Sequence, residues 1–258
     1  AALRKNRQEG LEENFSSYLE KLSATAREIV DAVDPAALAE IYRFDKKNAE
    51  WDAQMLLHLS SRINGRILTA YSMTEIMPAG VEVYEFMLQK AGTEFLLRVP
   101  AIGDKYTSFG MFQFTKFALD KRTDHHGKPQ YVGAALANQA LPSDKRIPDS
   151  VEQLLTLRDH AGAAILFNIH NLGVALHKLR REGAGDAVMT RISQMDERTL
   201  TQLLATHHHE PSHALDSLIE WAKGGEKPYS IYCRGELHQY AALSGKHFEQ
   251  IEEAVSGA

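Results

Sequence analysis

The chain has 258 residues, enough for one large domain or two small ones. Its 29 basic and 34 acidic side chains give a formal net charge of −5, which excludes a broadly basic surface and leaves only a local patch for nucleic acid. The single cysteine, Cys233, allows neither an intrachain disulfide nor a zinc-ribbon spacing. The apolar runs are too short to span a bilayer.

The first part of the chain carries apolar residues at three- and four-residue steps, which predicts helices with one buried face. The first face consists of Leu11, Phe15, Tyr18, Leu22, Ile29 and Val33. Asp34-Pro35 ends this helix and can start another. The next face consists of Trp51, Met55, Leu59 and Ile63, and Asn64-Gly65 closes it. Two further short helices are predicted to end at Pro78 and Gly92.

Residues 93–114 are rich in β-branched and aromatic side chains, which predicts a small irregular hairpin around Gly103-Asp104. Residues 121–130 and 141–150 are predicted to be polar loops. Asp149 or Ser150 can cap the long helix that follows. The rest of the chain is again helical in pattern. The prediction is a mainly α protein with one β-hairpin insertion, an N-terminal helical segment over residues 1–45, and a main domain over residues 46–258.

The stretch LLATHHHEPSHAL, residues 203–215, contains the pattern H-E-x-x-H of zinc proteases at residues 209–213. That motif works when both histidines share one helical face and bind one metal ion. Here Pro211 favours the first position of a helix, because proline inside a helix costs about 3 kcal/mol. Glu210 would then be the cap, and His209 and His213 would not share a face.

A third zinc ligand is not marked in the sequence, although Glu220 or Glu236 can serve. A zinc hydrolase therefore stays an alternative, weighed against ordinary surface histidines at the start of a helix. Three other histidines, His160, His170 and His177, have spacings that favour no compact metal site. The sequence predicts no resident metal and no cofactor.

A different group of residues points to acid–base chemistry. Glu75 lies at the end of a short helix among apolar neighbours, and such surroundings raise the pKa of a carboxyl group, so that it can act as a general acid. About thirty residues later, Ser108, Gly110 and Gln113 form the pattern S-x-G-x-x-Q. The glycine allows a close approach of backbone to ligand, and the serine and glutamine offer hydrogen bonds. Aromatic residues that can pack or stack flank this pattern: Phe109, Phe112 and Phe114.

The order of these features resembles the lytic transglycosylases of the lysozyme-like superfamily. That family has a Glu at a helix end and then a G-x-x-Q segment, here SFGMFQF. An A-Y-N-x-G-P joint follows, where this chain has ATHHHEP, and then a late Y-V-x-x-V helix, where it has YSIYCRGEL. The match spans roughly residues 50 to 245. This chain departs from the family at Ile76, where the family has Ser, and at the joint, which lacks the Tyr, Asn and Gly.

The resemblance implies a lysozyme-like α+β fold and cleavage of the MurNAc-GlcNAc glycan of peptidoglycan. It implies a periplasmic or extracellular, cell-wall-associated protein. A phage-encoded origin and a protein partner for the N-terminal helix both stay open. Glu75 would be the single acid/base residue. The glycan would be bound by Ser108, Phe109, Gln113, Phe114, His207, His208 and Tyr229.

One carboxylate suffices in that family because the C6 hydroxyl of the sugar attacks and a 1,6-anhydro sugar forms, whereas most glycosidases use two carboxylates. Asp104 is the one candidate for a second carboxylate, which would restore ordinary hydrolysis. A lysozyme-like module that binds glycan without cutting it is the other alternative.

Overall fold

The computed structural model of the protein describes residues 2–76, 108–115, 118–183 and 186–256. These residues form a mainly helical structure with two small antiparallel hairpins. The mainly α prediction is therefore confirmed. The predicted helix that ends at Gly92 and the predicted turn at Gly103-Asp104 lie outside the described residues.

Four helices make up the N-terminal part: α1 (Ala2–Ala32), α2 (Pro35–Ile41), α3 (Ala49–Ser61) and α4 (Gly65–Ile76). The predicted break at residues 34 and 35 is confirmed, because the Asp34 carboxylate accepts a hydrogen bond from the amide of Ala36 and Pro35 occupies the first turn of α2. The start of α4 lies against α1, since a Cβ atom on Gly65 would be 2.0 Å from the carbonyl oxygen of Leu19. Only glycine allows this contact.

The first hairpin pairs β1 (Ser108–Phe109) with β2 (Phe114–Thr115), and the second pairs β3 (Leu119–Thr123) with β4 (Pro129–Gly133). The prediction of a polar loop over residues 121–130 is therefore confirmed only for the turn at residues 124–128 and is wrong for the two strand segments. The Asp124 carboxylate holds that turn by accepting hydrogen bonds from the amides of His126 and Lys128. β4 is largely exposed, so it lacks the apolar alternation by which a strand is recognised.

The remainder is helical and begins with a short helix, α5 (Ala134–Ala137), followed by one-turn 3-10 helices at Asn138–Ala140 and Val151–Gln153. The larger helices are α6 (Leu157–Arg181), α7 (Asp186–Ser193), α8 (Glu197–His209), α9 (Pro211–Lys223), α10 (Tyr229–Tyr232) and α11 (Glu236–Ser256).

The start of α6 corrects the predicted cap. Ser150 precedes only the 3-10 turn and makes no side-chain cap, whereas Thr156 and Asp159 form a capping box at α6. The reciprocal hydrogen bonds of that box set the start of the long helix six residues later than predicted from Ser150.

The core forms around two helices, α4 and α6. α4 packs against α1, α8 and α11, while α6 packs against α1, α3, α5, α8 and α9. An ion pair between Arg180 and Asp52, whose side chain is 1% exposed, ties α6 to α3 with a distance of 2.8 Å. α1 contributes buried side chains to the same core, and the domain boundary at residue 45 stays a prediction. None of the helices in the described ranges combines the length and apolar character needed to cross a bilayer.

Candidate active site

Glu75 is a buried carboxyl group at the C-terminal end of α4. Its side chain is 7% exposed, and its Oε1 atom is buried without a hydrogen-bond partner in the described structure. Burial raises the pKa of Glu75 well above its usual value, because a charged carboxylate is poorly solvated there. Burial therefore favours the neutral acid, the form that has a proton to donate.

His208, near the end of α8, lies beside this carboxyl group. Its Nε2 atom is 3.7 Å from Glu75 Oε2, and its Nδ1 atom is 2.5 Å from the hydroxyl oxygen of Tyr71. Tyr71 precedes Glu75 by one helical turn, so both side chains reach the same imidazole. Burial lowers the pKa of His208 to about 4, and a hydrogen bond to the backbone of Gln113 partly offsets this effect. The imidazole is therefore neutral beside a neutral acid.

The S-x-G-x-x-Q pattern forms a tight turn next to this pair. Gly110 and Gln113 both have positive φ angles, +74° and +48°, which for glutamine is a strained conformation. The Gln113 side-chain amide donates a hydrogen bond to the carbonyl oxygen of Gly110, and the Ser72 hydroxyl donates one to that of Met111. These bonds, with the contact to His208, fix residues 110–113 between α4 and α8.

Aromatic rings pack around Tyr71 and the imidazole of His208. Phe112 lies 4.9 Å from Tyr71, and Phe114 lies 5.0 Å from His208, measured between ring centroids. Phe167 of α6 meets the same histidine edge-on. This apolar wall keeps water away from Glu75 and strengthens electrostatic interactions at the site.

The structure brings four of the predicted site residues together: Glu75, Gln113, Phe114 and His208. Phe114 is fully buried, so its ring packs against the histidine instead of presenting an open face. Ser108 and Phe109 form β1, where their backbone pairs with residues 115 and 114. Their side chains are outside the described part of the structure.

His207 and Tyr229 lie apart from this group. Burial and the nearby His170 lower the pKa of His207 to about 3, and neither ring nitrogen has a hydrogen-bond partner in the described ranges. The hydroxyl of Tyr229 is 3.1 Å from Thr206 Oγ1, and its ring meets Trp221 edge-on. Tyr229 therefore joins α10 to α8 and α9.

Two residues of the site were not predicted from the sequence. Tyr71 could have been predicted from its spacing, because it lies four residues before Glu75 on the same helix and therefore on the same face. Tyr240 of α11 stacks on His209 with ring centroids 4.0 Å apart. Burial raises the pKa of Tyr240, and interactions with the carboxyl groups of Glu75 and Glu236 raise it further. Tyr240 and His209 form the half-buried side of the site.

The zinc pattern at residues 209–213 does not form a ligand set. Pro211 begins α9, and Glu210 separates it from α8, as predicted. His213 pairs with Glu210, while His209 turns towards Tyr240. Among the described residues no group of three or more histidine, cysteine, aspartate or glutamate side chains is arranged to hold a metal ion.

Comparison with protein-family models, with curated proteins and with solved structures found no match for this chain.

Acid should destabilise the fold through its buried histidines. Burial lowers the pKa of His170 to about 4, so the unfolded imidazole takes up a proton near pH 6.5 while the folded one does so only near pH 4. The stabilisation present above about pH 6.5 is therefore lost as the pH falls towards 4. We expect His170→Gln, which cannot titrate, to lose about 2 kcal/mol less free energy of unfolding than the wild type over this range. Urea unfolding at several pH values measures the free energy of unfolding. An equal decrease of this free energy between about pH 6.5 and pH 4 in both proteins would contradict the prediction.

Proposed function

We propose that the protein is a lytic transglycosylase-type glycosidase that cleaves the MurNAc-GlcNAc glycan of peptidoglycan, with Glu75 as its general acid and base. The observation that carries the proposal is the pairing of a buried, neutral Glu75 with His208, beside the turn formed by Gly110 and Gln113. A protonated carboxyl group in a dry site is what protonation of a glycosidic oxygen requires. A lysozyme-like fold and a location facing the cell wall are parts of the same proposal.

The reaction needs one carboxyl group. Glu75 gives its proton to the glycosidic oxygen as the C1–O4 bond breaks. The carboxylate then takes the proton of the C6 hydroxyl as the O6–C1 bond forms, which restores the neutral acid. Burial raises the pKa of Glu75, which suits a general acid, while Asp104, the candidate second carboxylate, lies outside the described residues.

The groups around Glu75 have distinct tasks in this mechanism. Tyr71 contacts His208 Nδ1, Nε2 of the same ring faces Glu75 Oε2, and the imidazole also bonds to the Gln113 backbone. The imidazole thus holds the turn and the acid at a fixed separation. In this proposal the Oε1 atom of Glu75, which is buried and has no hydrogen-bond partner among the described residues, carries the proton that is transferred.

Product analysis tests the proposal. Purified sacculi are digested with the full chain, and the soluble products are identified by mass spectrometry. We expect 1,6-anhydro-muropeptides, formed without incorporation of solvent ¹⁸O. Reducing-end products labelled with ¹⁸O would show that the protein hydrolyses the glycan and would contradict the lytic reaction. Tight sedimentation with sacculi and no product would show that the protein binds glycan without cleaving it.

Tyr229 provides a separate test of which predicted residues take part. Because its hydroxyl bonds to Thr206 and not to Glu75, Tyr229→Phe should keep the wild-type rate of glycan cleavage and lose about 1 kcal/mol of unfolding free energy. The control is Tyr232→Phe, which removes the hydroxyl of a nearby, partly buried tyrosine. Rate assays and urea unfolding give both values. A large loss of rate in Tyr229→Phe alone would place this tyrosine in the reaction.

A further inference from the structure

Thr74, the residue that precedes the buried acid, makes a contact that has no part in the steps described for Glu75. Its Oγ1 atom is 3.1 Å from Nδ1 of His247, which lies on α11. Both side chains are buried, with exposed fractions of 0% for Thr74 and 3% for His247. The contact therefore joins α4 to α11 in a part of the core from which solvent is excluded.

The direction of this hydrogen bond follows from the number of protons available. A threonine hydroxyl has one proton to donate and can also accept. Thr74 Oγ1 is 2.8 Å from the carbonyl oxygen of Ala70, which can only accept, so the hydroxyl proton goes to that carbonyl. The contact with His247 is then a hydrogen bond only if Nδ1 carries a proton and donates it to Oγ1.

A single tautomer of His247 satisfies both contacts. Burial lowers the pKa of His247 to about 4, and the charge of Lys246 lowers it further, so the ring is neutral at neutral pH and has one N–H group. That proton must be on Nδ1, because Nδ1 is the atom that faces Thr74. The hydrogen bond made by one ring nitrogen determines which nitrogen is protonated. Thr74 and Ala70 together therefore select the Nδ1–H form.

This contact complements a second polar contact of α4 on the other side of Glu75. Consecutive residues of an α-helix point about 100° apart, so Ser72 and Thr74 flank the direction of Glu75 on opposite sides. The Ser72 hydroxyl donates to the carbonyl oxygen of Met111 at 2.6 Å, and Thr74 meets α11. A rotation of α4 about its axis would disturb both hydrogen bonds. The two contacts thus fix the direction in which Glu75 points.

We propose that His247 is a positioning residue for Glu75: its Nδ1–H group, through Thr74, holds the acid in its orientation against α11. This inference rests on the proposed function, because the orientation of Glu75 affects the rate only if Glu75 transfers the proton. His247 acts through Thr74 and touches no reacting atom. Misplacement of a reacting group by about 1 Å can cost about a hundredfold in rate, so loss of the hydrogen bond should lower kcat and leave KM nearly unchanged.

Two substitutions of equal size separate the hydrogen bond from the packing of the ring. Asparagine has an amide nitrogen on Cγ, where histidine has Nδ1, and can still donate to Thr74, whereas leucine has the same shape and no donor. We expect His247→Leu to lower kcat for glycan cleavage at least about tenfold with KM within about twofold of the wild type. His247→Asn should restore most of kcat. Both variants leave the same space beside Thr74, so equal kcat values for the two would overturn the inference.

The tautomer is measured independently of activity. In the full chain labelled with ¹⁵N-histidine, two-dimensional ¹H–¹⁵N spectra show which ring nitrogen carries the proton, and His247→Leu identifies the signals of His247 by their loss. We expect the Nδ1–H form at about pH 7, and its loss in Thr74→Val, which keeps the shape of threonine without the acceptor.

The two measurements separate this inference from the proposed function. An Nε2–H form of His247 in a wild-type chain that cleaves glycan would overturn the positioning role and keep the glycosidase. An Nδ1–H form in a chain that cleaves no glycan would keep the hydrogen bond between α4 and α11 and overturn the glycosidase, together with the role of His247 in it.

Discussion

Glu75→Gln is expected to lower the rate of peptidoglycan cleavage by at least about a hundredfold, because glutamine cannot donate or accept the proton that the reaction transfers. Glutamine has nearly the same shape as the protonated carboxyl group, so the contacts with His208 and the surrounding aromatic rings should persist. Release of soluble muropeptides from sacculi measures the rate, and circular dichroism checks that the fold is retained. A variant that cleaves at the wild-type rate would remove Glu75 from the mechanism.

The pH dependence of stability tests the same substitution independently of activity. Burial raises the folded-state pKa of Glu75, so its contribution to stability is full below the unfolded pKa and is lost as the pH rises through the folded pKa. Glu75→Gln should therefore match the wild type at about pH 4 and exceed it at about pH 8. The matched control is Glu236→Gln, because the Glu236 side chain is 82% exposed next to His209. This substitution should change the rate of cleavage and the pH dependence of stability less than Glu75→Gln does.

Local rules of sequence predicted much of the framework around the site. Asp34 and Pro35 mark a helix break that the structure contains, and Pro211 marks the joint between α8 and α9. The apolar neighbours of Glu75 in the sequence, Met73, Ile76 and Met77, also predict a raised pKa, because they cannot solvate a charge. These features depend on residues close together in the chain, where periodicity and capping preferences act.

The contacts that complete the site depend on residues far apart in sequence. Tyr71 and His208 are 137 positions apart, and no local pattern indicates that α4 and α8 are neighbours. The sequence also treats His207 and His208 alike, although consecutive residues of a helix point about 100° apart. Packing directs His208 to Glu75 and His207 to His170. Pro211 marks the joint in the sequence, but only the arrangement of the helices distinguishes His207 from His208.

Gly110→Ala should have the largest effect on the turn beside the acid. Gly110 has φ of +74°, where a side chain costs about 1–2 kcal/mol, and a Cβ atom there would be 1.9 Å from Cε1 of the buried His160. The turn must shift to relieve this overlap, and it carries Gln113, which contacts His208. We expect a loss of about 3 kcal/mol or more in unfolding free energy, from backbone strain and overpacking together. Glycan cleavage should fall at least tenfold.

Gly127→Ala is the control that isolates the steric part of this effect. Gly127 has nearly the same φ, +75°, but a Cβ atom there would meet nothing within 4 Å. It should therefore lose only the backbone cost of about 1–2 kcal/mol and keep its cleavage rate. Urea unfolding and muropeptide release are compared for the two variants. If Gly110→Ala equals Gly127→Ala in both measurements, the contact with His160 does not hold the turn, and the position of Gln113 beside the acid has another cause.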